Sequence, residues 1–269
     1  MSRISAILIT LILFGLLLIL AGCNLVGTGN TSTTPAYPSS PGNQSGSSAP
    51  QPTQPSNQQG GMVNLPSFAT LISAVESSVV KIDVTIPATT IFGQVTQQQG
   101  AGSGWIINSD GIIVTANHVV DGASSITVTA LDGKTYPAQI ITGNSNVDVA
   151  ILRINASGLP ALKTANAASF KTGDWVLAIG NPLGQGIIAT QGIISRLGVD
   201  VPISASQTYH NMIETTAAIN PGNSGGALVN LNGEVIGVTS LKVSAAGIEG
   251  MGYAINIADV LPLLQNVPQ

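Results

Sequence analysis

The chain has 269 residues, 8 basic and 12 acidic side chains, a formal net charge of −4, one cysteine and two histidines. A single cysteine excludes an internal disulfide and a thiolate-ligated metal, and no metal or other cofactor is expected. The mild acidity and the lack of any basic run exclude nucleic acid as a partner.

Residues 4–22 are almost wholly apolar, follow Arg3 and end in Leu20-Ala21-Gly22-Cys23. A basic start, an apolar stretch and small residues before a cut site describe a secretory signal. The small-small-Cys ending resembles a bacterial lipobox, which makes residues 1–22 a signal peptide and Cys23 a lipid-bearing N-terminus. The alternative is an uncleaved membrane helix, because roughly 20 apolar residues span a bilayer. Either way the remainder is expected outside the cytoplasm, tethered to a membrane. Residues 23–62 are rich in Ser, Thr, Pro, Gly, Asn and Gln, and no charge occurs between Arg3 and Glu76. Such a segment buries too little apolar surface to offset its ordering entropy. It reads as a flexible linker with a root-mean-square reach on the order of 35 Å. The folded domain is expected over 63–269, with no room for a further domain after it.

Phe68, Leu71, Ile72 and Val75 share one face of a helix, with Pro66-Ser67 as its start. β-type runs then follow at Val79–Ile86, Gly104–Asn108, Ile112–Ala116, Ile126–Leu131, Tyr136–Thr142 and Val149–Ile154. A second series comprises Trp175–Ile179, Ile187–Ser195, Met212–Thr216, Ala227–Asn230, Glu234–Ser240 and Gly252–Ile255. Asn232-Gly233 is a hairpin signal. Ile257, Val260, Leu261 and Leu264 return to helical spacing, and Pro262 argues against a long regular helix. About a dozen short strands with regular turn signals predict an all-β sandwich or barrel domain, with short helices at both ends.

Three residues stand at strand edges in the order His, Asp, Ser. His118 follows Val-Thr-Ala-Asn, Asp148 precedes Val-Ala-Ile-Leu, and Ser224 lies in Asn220-Pro-Gly-Asn-Ser-Gly-Gly226. A lone histidine or aspartate at such a place is more often structural. Together they meet a specific chemical need. A serine hydroxyl is a weak nucleophile until a base takes its proton. Imidazole does this near neutrality, and a carboxylate on its far nitrogen fixes the tautomer and stabilises the imidazolium. The amides of Gly222 and Ser224 would bind the oxyanion.

These stretches resemble the trypsin-like serine proteases and, within them, the HtrA/Deg family. The likeness covers Gly102-Ser103-Gly104-Trp105-Ile106, Ile113–Val120 around the histidine and Asn146–Leu152 around the aspartate. It continues through Ala178–Gly184, Thr190–Ser195, Ala217–Leu228 around the serine, and Gly252–Ile255. The resemblance implies two six-stranded antiparallel β-barrels, about 78–160 and 171–256, with the active site between them. It implies a serine endopeptidase acting on unfolded or damaged proteins in the cell envelope. A binding module or chaperone-like adaptor on the same fold is the competing reading. It also implies contacts to an extended substrate from Thr239, Ser240 and Leu241, and leaves a homotrimer formed near Phe68 open. Ala218 and Ile219 imply a small apolar specificity pocket.

The sequence departs from the family pattern in several places. No PDZ domain is expected after the protease domain, and Thr216 stands where the family commonly has aspartate. Asn223 fits the family. It replaces the aspartate by which digestive relatives pair with a newly cut N-terminus, so activation by such a cut is not expected. His210 has no matched role and is expected on the surface.

Overall fold

A lone strand leaves a row of unpaired N–H and C=O groups, so short apolar runs separated by turns are driven to pair. In the computed structural model, which describes residues 67–89, 94–184, 186–240, 251–265 and 267, that pairing closes twice into antiparallel barrels. The apolar segment 4–22, Cys23, the linker and Leu241 lie outside the described residues.

Barrel one is formed by β1 (Val79–Thr89), β2 (Val95–Asn108), β3 (Ile112–Ala116), β4 (Ser125–Thr129), β5 (Thr135–Asn144) and β6 (Val149–Ile154), in the order β1-β2-β3-β6-β5-β4. Barrel two is formed by β7 (Trp175–Gly180), β8 (Ile188–Ser204), β9 (Gln207–Thr215), β10 (Ala227–Asn230), β11 (Val235–Thr239) and β12 (Gly252–Asn256), in the order β10-β11-β12-β9-β8-β7. Helix α1 (Phe68–Val75) precedes the barrels, the one-turn α2 (Asn117–Val120) follows β3, and α3 (Ile257–Leu264) follows β12. The two-barrel architecture expected from the resemblance is therefore present.

Alternation along the strands builds two cores. Val80, Ile82, Val84, Ile106, Ile113, Leu152 and Ile154 fill barrel one. Their neighbours Val79, Trp105, Ile112, Val114, Val149 and Ile151 join the cluster that fills barrel two. Barrel one thus turns one face of β3 and β6 inward and the other against barrel two, which explains why these strands read as unbroken apolar runs. All five residues of β3 are buried. Burying each Val, Ile or Leu contributes roughly 1.5–3 kcal/mol before entropy is counted.

Both terminal helices pack into the barrel-two cluster, through Leu71 and Val75 of α1 and Ile257 and Val260 of α3. Leu71 and Val75 of α1 are buried, and Phe68 meets Trp175 edge to face at 5.8 Å between ring centroids. Asn256 caps α3 by accepting the Ala258 N–H at 3.0 Å. Pro262 lies within α3, and the helix ends at Leu264 after eight residues. The Asn232-Gly233 turn joins β10 to β11, with Gly233 at φ 77°.

Two ribbons run longer than the sequence patterns indicate. β2 starts at Val95 rather than Gly104, paired with β1 out to Thr89. β8 and β9 continue through Ser204 and from Gln207 with repeated register shifts. The added segments are polar or interrupted, such as Thr96–Gln99 and Gly198–Pro202. Main-chain pairing rather than burial holds the β2 extension, whereas in the β8–β9 ribbon Val201 and Tyr209 also reach the barrel-two cluster and the repeated register shifts interrupt the strand pattern.

Within β8 and β9, Arg196 forks onto the buried carboxylate of Glu214, which also accepts the Tyr253 hydroxyl at 3.2 Å. The Arg196 hydrogen bonds hold Glu214 below its ordinary value of 4.5, against the opposing effect of burial. A lowered folded-state value contributes stability that is present above the ordinary value and lost as pH falls through the lowered one. Arg196→Met is therefore expected to lower the melting temperature at pH 7. The deficit should shrink as pH falls below the ordinary value of 4.5, as read by thermal melts of both proteins from pH 7 downwards.

Candidate active site

Strand register brings the first two site residues together. β3 pairs with β6 so that Ala116 faces Val149. The next residues out are Asn117 and Asp148, and the Asn117 N–H donates to the Asp148 carbonyl at 2.9 Å. The chain then turns through α2 and presents His118.

Asp148 adopts φ 63°, a left-handed conformation that Asp tolerates better than most residues. Its buried carboxylate, 1% exposed, accepts three hydrogen bonds. The His118 main-chain N–H donates to Oδ1 at 2.9 Å, and His118 Nδ1 donates to Oδ2 at 2.7 Å. The Ser240 hydroxyl donates to Oδ2 at 3.0 Å. Because the carboxylate oxygens act as acceptors, Nδ1 carries the ring proton and Nε2 is left as the basic nitrogen.

Ser224 is delivered by barrel two, on the loop between β9 and β10, and is 6% exposed. Two glycines set the path of that loop. Gly222 has φ 94° and Gly225 φ 83°. A Cβ on Gly225 would lie 2.2 Å from Thr115 Oγ1 and 2.3 Å from the Ser103 carbonyl, so the loop lies directly on β2 and β3. The Ser103 N–H donates to the Ser224 carbonyl at 2.9 Å across the seam. A single point beside Gly102 lies 2.6 Å from Val119 Cγ1 and 3.2 Å from the Ser224 carbonyl oxygen. The serine loop therefore sits beside the turn that carries His118.

The end of β11 ties both halves of the site. Thr239 accepts the Gly225 N–H at 2.8 Å, gives its own N–H to Gly226 at 3.0 Å and its hydroxyl to the Asn223 carbonyl at 2.5 Å. Ser240 gives its N–H to Tyr253 and its hydroxyl to Asp148. Of the residues expected to contact a substrate strand, Thr239 is thus fully engaged with the serine loop. The Ser240 carbonyl has no donor among the described residues, and Leu241 is outside them. The Gly222 N–H has no acceptor among the described residues, as an oxyanion donor requires.

Ala218 is exposed and its carbonyl accepts the Thr190 hydroxyl at 2.7 Å. Ile219 is buried over Gly252, where a Cβ would lie 2.4 Å from Ile219 Cγ1. Thr216 accepts the Ile193 N–H on its hydroxyl at 3.0 Å, an acceptor role an aspartate could also fill. His210 is exposed and pairs with Asp200 at 3.1 Å in the β8–β9 ribbon. No cluster of potential metal ligands occurs among the described residues.

Sequence reasoning did not single out Asn181. It and Asn223 are completely buried, and their side-chain amides have no hydrogen-bond partner among the described residues. A polar residue in an apolar loop carries no periodic signal, so nothing marked Asn181, and Asn223 was marked only by the family resemblance and not by its burial.

A family model for the trypsin-like peptidase domain matches residues 102–238. A probable periplasmic serine endoprotease, DegP-like, of Pseudomonas savastanoi pv. phaseolicola is 44% identical over 162 residues, covering 60% of this chain and 33% of the relative. The serine protease Do-like HtrB of Bacillus subtilis is 43% identical over 162 residues, covering 58% and 35%. The chain therefore spans about a third of the length of these curated relatives. Among solved structures, the HtrA-type protease AlgW with a decapeptide superposes with a TM-score of 0.63 at 33% identity, over 74% of this chain and 66% of that one.

The burial of Asn223 yields a stability test. Asn223→Asp would place a carboxylate in a fully buried site that holds no cation among the described residues. It is expected to destabilise the fold by about 3 kcal/mol or more at pH 7. The loss should diminish as pH falls towards about 4, where the group folds neutral. Denaturant unfolding at the two pH values checks this.

Proposed function

Because the chain belongs to the trypsin-like peptidase family, we propose that it is an HtrA-type serine endopeptidase that works outside the cytoplasm on unfolded or damaged proteins. The observation that carries the proposal is the grip of Asp148 on both the main chain and Nδ1 of His118, beside the glycine-bounded Ser224 loop.

In this mechanism His118 Nε2 takes the proton of Ser224 Oγ as the oxygen attacks the scissile carbonyl carbon. The carbonyl electrons move onto oxygen, which the Gly222 and Ser224 amides receive. Asp148 stabilises the imidazolium without taking its proton. Collapse breaks the C–N bond, and His118 returns the proton to the departing amine. Water, deprotonated by His118, then attacks the acyl carbon, the bond from that carbon to Ser224 Oγ breaks as the acid leaves, and His118 returns the proton to Oγ. No metal or cofactor enters any step.

Ala218 and Ile219 supply a shallow apolar pocket, with the Ile219 side chain lying over Gly252. The favoured residue before the cut is therefore Val, Ala or Ile. The main-chain carbonyl of Ser240, with Leu241 beyond it, would hold the substrate as an added strand. The location is supported by the periplasmic naming of the Pseudomonas relative and by the Leu20-Ala21-Gly22-Cys23 ending of the apolar leader. On this reading lipid on Cys23 tethers the domain to the membrane through the 23–62 linker, and self-association near Phe68 yields a trimer.

A fluorophosphonate probe is expected to label the wild-type chain on Ser224 and to leave Ser224→Ala unlabelled. The labelled protein should digest an unfolded protein and cut a peptide library after small aliphatic residues. Absence of wild-type labelling favours the binding-module reading, and a strong preference for cutting after Arg or Lys refutes the pocket assignment.

A further inference from the structure

Ser103 lies in β2 of barrel one, 119 residues before Gly222, yet its hydroxyl donates to the Gly222 carbonyl at 2.6 Å. The same oxygen accepts the Asn181 N–H at 2.8 Å. Because the Asn181 donor occupies a lone pair, the hydroxyl proton is directed onto Gly222. The residue is held on its other sides as well. Its N–H donates to the Ser224 carbonyl at 2.9 Å, and its carbonyl accepts the Thr115 hydroxyl at 2.7 Å. Ser103 is completely buried.

Ser103 thus grips the carbonyls of Gly222 and Ser224, the two residues whose amides would face an oxyanion. The grip on Ser224 uses main chain, which any residue in β2 supplies. The grip on Gly222 uses the side chain. The peptide between Gly222 and Asn223 is fixed at both ends, its carbonyl by Ser103 and its N–H by the Asn220 carbonyl at 3.0 Å. Gly222 sits at φ 94°, and glycine occupies this basin and several others at similar cost. With the carbonyl released, rotation about Gly222 redirects its N–H.

We infer that Ser103 is a positioning residue for the oxyanion site, its hydroxyl locking the Gly222 peptide so that the Gly222 N–H points at the reacting carbonyl. The inference rests on Ser224 being the nucleophile. It places control of a barrel-two loop in a barrel-one strand, so seating of the two barrels and order of the oxyanion site become one event.

The test compares wild type with Ser103→Ala on a peptide ester or amide with valine before the cut. Two further probes are a peptide boronic acid ending in the valine analogue and the matching product peptide. A group that orients an oxyanion donor acts on the transition state and not on ground-state binding. In S103A kcat is expected to fall about 10–100-fold, less than the roughly 10²–10³ of losing a donor outright. KM should stay within about threefold, the boronate Kd should rise by the same factor as kcat falls, and product-peptide affinity should not change. If S103A does not fold, Ser103→Cys, which retains the size but donates weakly, takes its place in the same comparison.

A folded variant with wild-type kcat and boronate affinity overturns the inference. Equal losses of boronate and product-peptide affinity also overturn it, because they mark general loosening of the site. A wild-type chain that neither binds the boronate nor reacts with a fluorophosphonate refutes Ser224 as nucleophile instead.

Discussion

Strand β3 has no solvent face, and the site is built around that constraint. Ile113 is committed to the core of barrel one while Ile112 and Val114 are committed to the cluster shared with barrel two. A slip of one residue would exchange these sets and place Thr115 among aliphatic side chains, so the register is strongly specified. Once Ala116 is opposite Val149, the residues that follow β3 and precede β6 must meet. His118 and Asp148 share a hydrogen bond because of where two buried strands end.

The serine arrives by a different route. Barrel two brings the Asn220–Gly226 loop to the seam, and barrel one holds it there through Ser103 and the close approach of Gly225 to Thr115. Thr239, the last residue of β11, and Ser240, which follows it, hold the serine loop and Asp148 respectively. Each part of the candidate site is therefore fixed by main-chain or hydroxyl contacts from an element that does not carry it. Asn223 in the loop and Asn181 just after β7 are buried with side-chain amides that have no partner among the described residues, at a cost of roughly 1–3 kcal/mol for each unsatisfied group.

Much of the fold was legible because buried strands carry their own signal. The runs around β3, β6, β7 and β10 are apolar, short and bounded by Gly, Asn or Asp, and they lie where the structure has strands. The outer reaches of β2, β8 and β9 were not legible. Gln97–Gln99 gain their order from main-chain pairing in an exposed ribbon, which leaves no trace in side-chain pattern, and between β8 and β9 repeated register shifts break the pattern even though Val201 and Tyr209 are buried. Strand-edge placement and residue type marked His118, Asp148 and Ser224, and the resemblance to a protease family placed them in one mechanism. The parts held by single hydroxyls were hidden. Ser103 reads only as a small residue between two glycines, and its partners lie 78 and 119 residues away. Ser240 reads as the end of a strand, and its bond to Asp148 depends on a fold-level contact.

The central claim is that His118 and Ser224, carried by different barrels, act as one chemical unit. A double-mutant cycle measures this directly, using kcat/KM for an unfolded protein substrate with His118→Ala, Ser224→Ala and the double variant. Groups that act as a unit are non-additive, so the double variant should be no slower than either single variant. Losses that multiply in the double variant would show that the two residues act independently and would contradict the account.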